Sequence, residues 1–121
     1  MSKFRSKFEK NFADSLTKQG IKFKYESDRI AYTKECTYTP DFKLGTMYIE
    51  TKGRFTASDR AKHLRIKEQH PTLDIRFIFM NSRVKLSKIS STTYGEWCDK
   101  HGFKWADKSI PKSWLNKKEK K

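Results

Sequence analysis

Asp41, Glu50 and Lys52 have the residue types and the spacing that metal-assisted hydrolysis requires. Asp41 follows Pro40, eight residues separate Asp41 from Glu50, and Lys52 follows Glu50 with Thr51 between them. Neighbouring carboxylates bind hard divalent cations such as Mg²⁺, which takes oxygen ligands and retains several waters. A lysine beside them can contact the attacking water. An ordinary Glu-x-Lys on a strand is, however, more often a weak pair on a polar face, so this spacing alone does not establish catalysis.

The segment from Asp41 to Lys52 is predicted to be a β-hairpin. Its first half alternates apolar and polar residues, Gly45 can turn the chain, and residues 47–52 are rich in strand-forming types. Side chains alternate between the two faces of a strand, so Glu50 and Lys52 share a face, and Asp41 can approach Glu50 from the neighbouring strand. The hairpin therefore predicts that two carboxylates and one ammonium converge.

Several further elements are predicted to hold this hairpin. In chain order they are helix 3–19, strands 21–25 and 29–33, helix 56–70, strand 73–80 and a helix from residue 92 to Gly102. Strand 73–80 is apolar at nearly every position, which predicts a central strand. Helix 56–70 has a narrow apolar stripe of Ala57, Ala61 and Leu64. The order hairpin, helix and central strand predicts an α/β fold.

The charge of the chain favours a polyanionic partner. The 28 basic and 14 acidic residues give a net charge of +14, and 14% of the residues are aromatic. Nucleic acid is the commonest partner of a folded basic domain, although structural DNA-binding proteins share this signature. The predicted helix 56–70, which is rich in basic residues, and the loop 81–88 are either solvated surfaces or phosphate-binding surfaces. Their predicted DNA contacts are Arg60, Lys62, Arg65, Lys67, Arg83, Lys85 and Lys88.

Length and composition predict a single intracellular domain. Residues 1–116 fit one domain with a real core, and residues 117–121 form a lysine-rich tail. Cys36 and Cys98 form no C-x-x-C motif, which favours a reduced, cytoplasmic chain. No apolar run approaches the length of a membrane span, and the N-terminus has no signal-peptide core.

Glu9 is ambiguous when the residues are taken alone. It lies three and four positions before Phe12 and Ala13, which puts it at the edge of the apolar stripe of the first helix. An exposed acid near a helix N-terminus, stabilised there by the helix dipole, is the more frequent arrangement.

The complete pattern resembles the PD-(D/E)xK nuclease signature, and the chain from about Phe4 to Trp114 resembles the phage endonuclease I family. Members of this family are the Holliday-junction resolvases of T-odd phages. The segments that carry the resemblance are Thr37-Tyr-Thr-Pro-Asp-Phe42, Glu50-Thr-Lys-Gly53, Lys62-His-Leu64, Glu68-Gln-His-Pro71, Leu73-Asp-Ile-Arg76, Ser91-Thr-Thr-Tyr-Gly-Glu96 and Ala106-Asp-Lys108.

This resemblance implies a restriction-endonuclease-like α/β core, with a mixed central sheet flanked by helices. It implies that Glu9 is a third active-site carboxylate beside Asp41 and Glu50, that the Thr51 carbonyl is a further metal ligand, and that Lys52 orients water. One or two Mg²⁺ ions per site are implied, with Mn²⁺ as a substitute. The implied substrate is branched double-stranded DNA in the cytoplasm of the phage host.

The resemblance also implies a segment-exchanged homodimer. In such a dimer Glu9 of one chain meets Asp41 and Glu50 of the other. The connection between Glu26 and Thr37, where the family bridges its two subunits, is a few residues shorter in this chain.

Three functions remain distinct at this point. The first is a nuclease that resolves four-way junctions, the second is a PD-(D/E)xK endonuclease or nickase without branch selectivity, and the third is a non-catalytic DNA-binding protein. Divalent-metal-dependent cleavage separates the third from the others, and preference for branched over linear DNA separates the first two.

Overall fold

A five-stranded mixed sheet forms the centre of the computed structural model, which describes residues 4–31 and 37–115. The strands are β1 (Lys24–Tyr25), β2 (Ile30–Ala31), β3 (Thr37–Tyr38), β4 (Phe42–Leu44), β5 (Met47–Lys52), β6 (Asp74–Phe79) and β7 (Lys104–Asp107). The helices are α1 (Lys7–Lys18), α2 (Ala57–Gln69), α3 (Tyr94–His101) and a short 3-10 helix (Lys112–Leu115). The predicted α/β fold with a mixed central sheet is confirmed.

The sheet has the strand order β1-β4-β5-β6-β7, and β2 and β3 form a separate antiparallel pair. Strand β4 pairs antiparallel with both β1 and β5, whereas β6 pairs in parallel with both β5 and β7. The predicted hairpin is confirmed, because β4 and β5 pair across a turn in which Gly45 has a φ of 59°. The predicted central position of β6 is also confirmed, since it pairs with β5 on one side and β7 on the other.

Helix α1 begins later than predicted, at Lys7, because the side chain of Ser6 accepts a hydrogen bond from the Glu9 N–H and caps the helix there. It ends as predicted beside Gly20, which has a φ of 72°. Its buried face, which includes Phe12 and Leu16, packs with residues of β4, β5 and β6. The helix thus covers one face of the sheet.

Helix α2 begins with a capping box between Thr56 and Asp59. Its predicted apolar stripe is wrong. The helix buries His63 and Ile66, whereas Leu64 is 37% exposed. The β5-α2-β6 crossover sets which side of the helix meets the sheet. The His63 ring packs edge to face against Tyr38, Phe77 and Phe103, a contact that a count of apolar residues does not anticipate.

The final strand, β7, is missing from the predicted elements, the last of which is the helix that ends at Gly102. This strand is short, and none of its residues is fully buried, so it lacks the apolar run that identifies β6. Pairing with β6 and packing of Trp105 against Gly95 of α3 hold it in place. Gly102, with a φ of 79°, ends α3 as predicted.

The tail 117–121 and Cys36 lie outside the described residues. Cys98 is a buried free thiol, and burial raises its pKa to about 12, as expected of a packed residue. Within residues 4–31 and 37–115, no helix is long and apolar enough to cross a membrane.

Candidate functional site

Asp41 lies directly before β4, and its carboxylate is fixed to the neighbouring strand β5. Its Oδ2 accepts hydrogen bonds from the Thr51 N–H at 2.9 Å and from the Thr51 hydroxyl at 3.0 Å. The Asp41 N–H donates in turn to Oε2 of Glu50 at 3.3 Å. The structure therefore brings Asp41, Glu50 and Thr51 together at the open end of the hairpin.

Glu50 is a buried acid, with only 4% of its surface exposed. Its Oε2 accepts a 2.6 Å hydrogen bond from the hydroxyl of Tyr38, which is itself 2% exposed. Hydrogen bonds to a carboxylate are short and strong when the charge is withdrawn from water. Tyr38 therefore fixes the orientation of the Glu50 carboxylate.

The Tyr38 ring is held in turn by His63 of α2, which meets it edge to face at a centroid distance of 5.1 Å. His63 is completely buried, and neither of its ring nitrogens has a hydrogen-bond partner among the described residues. Burial lowers the pKa of His63 to about 3, so the ring is neutral at physiological pH. It serves as an aromatic support for Tyr38.

Lys52 lies on the same face of β5 as Glu50, as the hairpin predicts. Its Nζ is 3.9 Å from Oε1 of Glu50 and 3.4 Å from Oδ1 of Asp59, and its side chain is 16% exposed. Burial alone would raise the pKa of Asp59, but the Lys52 ammonium and the Thr56 N–H hold it below its usual value. The N-terminus of α2 thereby positions the ammonium beside the carboxylates.

Glu9 is buried on α1, 7% exposed, and does not project into solvent. Its Oε1 accepts hydrogen bonds from the Tyr25 hydroxyl at 2.7 Å and from the Arg5 N–H at 2.9 Å. One carboxylate oxygen from each of Glu9, Glu26 and Asp41 lies within 4.8 Å of the other two. This carboxylate cluster of Glu9, Glu26 and Asp41 forms within a single chain.

Glu26 reaches the cluster through an uncommon backbone conformation. It has a φ of 46°, a value that residues other than glycine seldom adopt. Its N–H donates to the Asp41 carbonyl at 2.9 Å, and its carboxylate lies 2.9 Å from Nε of Arg5. Strained backbone is typical of functional sites.

Burial is the main cause of a raised pKa at two carboxyl groups of the site, Asp41 and Glu50. Burial, and after it the charge of Glu50, raise the pKa of Asp41 to about 8. Burial also raises the pKa of Glu50, although the Lys52 ammonium and the Tyr38 hydroxyl oppose this effect. Buried carboxylates that repel one another become fully ionised once a cation neutralises them.

The donor atoms of the carboxylate cluster fit a divalent cation. Oxygens bound to one Mg²⁺ lie at most about 4.2 Å apart, twice its bond length of about 2.1 Å, so modest side-chain rotations would bring the cluster oxygens into range. The donors are all hard oxygen atoms, which suit Mg²⁺ or Mn²⁺ better than softer metals.

The seven predicted DNA contacts occupy different environments. Four of them, Arg65, Arg83, Lys85 and Lys88, are exposed. Arg60 donates a 2.7 Å hydrogen bond to the Phe55 carbonyl, and Lys62 and Lys67 are half-buried over aromatic rings. The exposed four are therefore free to reach a phosphate, whereas the other three have part of their side chains engaged.

Sequence reasoning missed four residues of the site: Tyr25, Glu26, Tyr38 and Asp59. Asp59 carried a usable signal, because its capping box fixes it at the helix N-terminus that follows Lys52. The others act through contacts between distant segments, and no local pattern marks them.

The similarity of this chain to known proteins covers all the residues of the site. A family model described as Phage endonuclease I matches residues 1–121. The chain is 50% identical to Endonuclease I of Escherichia phage T7 over 121 residues, covering 97% of this chain and 81% of that relative. It is 54% identical to Endodeoxyribonuclease 1 of Enterobacteria phage T3 over 112 residues, covering 89% of this chain and 74% of that relative.

Proposed function

We infer that this chain, which belongs to the phage endonuclease I family and is an endodeoxyribonuclease, resolves four-way DNA junctions by divalent-metal-dependent hydrolysis of phosphodiester bonds. Membership of the family confirms the resemblance found in the sequence motifs. It also removes the non-catalytic DNA-binding alternative. A nuclease without branch selectivity remains the second candidate.

The observation that carries the metal-dependent mechanism is the convergence of carboxylates beside Lys52. Asp41 and Glu50 would hold the ion, with Glu9, Glu26 and the Thr51 carbonyl as further donors for one or two ions. Bound Mg²⁺, for which Mn²⁺ would substitute, supplies positive charge to the phosphate and lowers the pKa of water.

The chain's own groups supply the remainder of the mechanism. The Lys52 ammonium, held between Glu50 and Asp59, orients the attacking water and neutralises charge that develops on the phosphate. Tyr38 keeps the Glu50 carboxylate in one orientation. The burial of Glu50 and Thr51 keeps these interactions in a medium where they are stronger than in water.

We propose that two copies act as a segment-exchanged homodimer on branched double-stranded DNA in the host cytoplasm, because a junction requires cuts in two strands and a two-fold protein matches it. Within one chain, Glu9 lies close to Asp41. If two chains exchanged α1, the same contact would form between Glu9 of one chain and Asp41 of the other. The connection that would cross between subunits includes residues 32–36, which lie outside the described residues.

Cleavage of a synthetic four-way junction and of a matched linear duplex, with Mg²⁺ or with chelator, tests the proposal. We expect Mg²⁺-dependent cleavage of the junction and much weaker cleavage of the duplex. Asp41→Ala, Glu50→Ala and Lys52→Ala should abolish cleavage and retain junction binding, whereas Asp14→Ala, an exposed acid on α1, should cleave normally. Equal cleavage of both DNAs would favour the unselective nuclease, and cleavage in chelator would refute the metal mechanism.

Complementation tests the exchange. Inactive Glu9→Ala and Asp41→Ala chains, mixed, unfolded and refolded together, should form heterodimers in which one site has lost both groups and the other is intact. Such heterodimers should nick one strand of a junction. Heterodimers that form and remain inactive would show that Glu9 acts within its own chain.

A further inference from the structure

Three lysines lie together on the outer edge of the sheet, away from the basic helix α2 and the loop 81–88. Lys24 of β1 is directly opposite Lys43 of β4 in the antiparallel ladder. Lys22 lies two residues before Lys24, and the three side chains line one surface groove of about 470 Å³. We call this surface the edge groove; Phe23 and Gly45 complete its lining.

The charges of the edge groove are not balanced by the protein. Like charges directly opposite one another in an antiparallel pair destabilise it. Asp28 offsets part of this repulsion, since its Oδ2 lies 3.3 Å from Nζ of Lys43. Lys22 and Lys24 form no ion pair with any of the described residues. The groove therefore retains an excess of positive charge that an anion would relieve.

The rest of the lining suits a sugar–phosphate chain better than a small ion. Phe23, which also lines the groove, is half-buried against Phe42, with ring centroids 5.3 Å apart. Gly45 is exposed, and no atom lies within 4 Å of where its Cβ would be, so a ligand can approach the backbone closely. Lysine side chains and open backbone are groups that commonly contact the phosphates and sugars of DNA.

The edge groove is close enough to the carboxylates to bind the same DNA strand. Lys43 follows Asp41 by two residues, which corresponds to about 7 Å along an extended chain. DNA rises about 3.4 Å per nucleotide of one strand, so this distance spans about two nucleotides. Lys43 is also paired with Tyr48, whose side chain alternates onto the same face as Glu50. A strand placed at the carboxylate cluster would extend into the groove.

We propose that Lys22, Lys24 and Lys43 form a phosphate-binding site that holds the DNA backbone beside the scissile phosphodiester bond. This inference rests on the proposed function for its ligand, the DNA substrate. It adds a contact surface on the β1–β4 edge to the basic surfaces predicted from sequence. The electrostatic attraction makes this site sensitive to salt.

The salt dependence of binding tests the proposal. Junction affinity of wild type and of the triple variant Lys22→Gln, Lys24→Gln, Lys43→Gln is measured by fluorescence anisotropy in chelator over a range of salt concentrations. Each lost phosphate contact reduces the slope of log K against log salt by about 0.9, so the triple variant should lose about 2 to 3 from the slope.

A matched control removes the same charge elsewhere. Lys10 and Lys18 are exposed on α1, and Lys100 is exposed on α3. Their triple glutamine variant should change the slope by less than about one. A slope change in the edge-groove variant no larger than that of this control would overturn the proposal. Lys24→Gln alone should reduce the slope by about one without lowering the melting temperature, because it removes a like-charge contact.

The same titrations keep this test separate from that of the proposed function. A linear duplex is measured beside the junction with every variant. Equal affinity of the wild type for both DNAs would refute branch selectivity, yet the comparison of slopes would still decide whether the edge groove binds phosphates.

Discussion

Replacement of Tyr38 by Phe removes a single hydroxyl and leaves the ring that packs against His63. The hydroxyl donates a 2.6 Å hydrogen bond to Oε2 of Glu50, and among the residues that the structure describes the other donor to that oxygen is the Asp41 N–H, at 3.3 Å. A hydrogen bond to a charged group contributes about 1.5–3 kcal/mol. Its loss raises the free energy of the ionised, correctly oriented carboxylate, which is the form that binds a cation.

The expected effect is on metal affinity. At about 1.4 kcal/mol per tenfold change, the loss corresponds to a 10- to 100-fold increase in the Mg²⁺ concentration for half-maximal cleavage. Single-turnover cleavage of a four-way junction, titrated with Mg²⁺, measures this directly. Calorimetric titration of the DNA-free protein with Mn²⁺ should show a similar weakening, independent of activity.

Tyr48→Phe is the matched control for this prediction. The Tyr48 hydroxyl donates a 2.8 Å hydrogen bond to Asp28, outside the carboxylate cluster, so its loss should leave the Mg²⁺ requirement unchanged. If Tyr38→Phe retained the wild-type requirement in both titrations, Tyr38 would be only a packing residue. An equal shift in both variants would also refute the reasoning.

Three other predictions concern stability. In chelator, the raised pKa of Asp41, about 8 against a usual value of about 4, gives stability that is complete below pH 4 and is lost as the pH rises to 8. In urea denaturation, the free energy of unfolding of Asp41→Asn should therefore exceed that of the wild type by a margin that grows from pH 5 to pH 8. His63, with a pKa of about 3 against a usual value of about 6.5, gives stability that is lost as the pH falls below 6.5. In thermal denaturation, the free energy of unfolding of His63→Phe relative to the wild type should therefore increase by about 2 kcal/mol from pH 7 to pH 5. Gly95→Ala would place a Cβ 2.8 Å from Cζ2 of Trp105 and should cost about 1–3 kcal/mol, measured as a lower melting temperature.

The hairpin could be predicted because its signals are local. Alternation along β4 and β5 and the turn at Gly45 depend on neighbouring residues alone, and a two-residue spacing puts Glu50 and Lys52 on one face by geometry. The capping box at Thr56 and Asp59 is equally local. These features were therefore accessible from the sequence.

The remainder of the site depends on how distant elements are placed. Glu26 approaches Glu9 and Asp41 only when β1 pairs with β4, and its positive φ leaves no mark in composition. The predicted buried face of α2 was wrong because the ring of His63, which hydrophobicity scales treat as polar, packs against Tyr38, Phe77 and Phe103. Burial of Glu9 was favoured by the family resemblance and not by its local pattern.

The carboxylates Asp41, Glu50 and Glu9 lie on two elements whose contacts differ in how far apart in sequence the contacting residues are. Asp41 and Glu50 lie on a hairpin that closes over a short turn, whereas Glu9 arrives on α1, whose buried face must find β4, β5 and β6 across intervening chain. Short loops close at lower entropic cost and sooner than long ones. We therefore expect the hairpin to form before α1 docks, so that catalytic competence is acquired late in folding. If α1 comes from a second copy, competence also depends on protein concentration, and an isolated new chain remains harmless to DNA until it meets its partner.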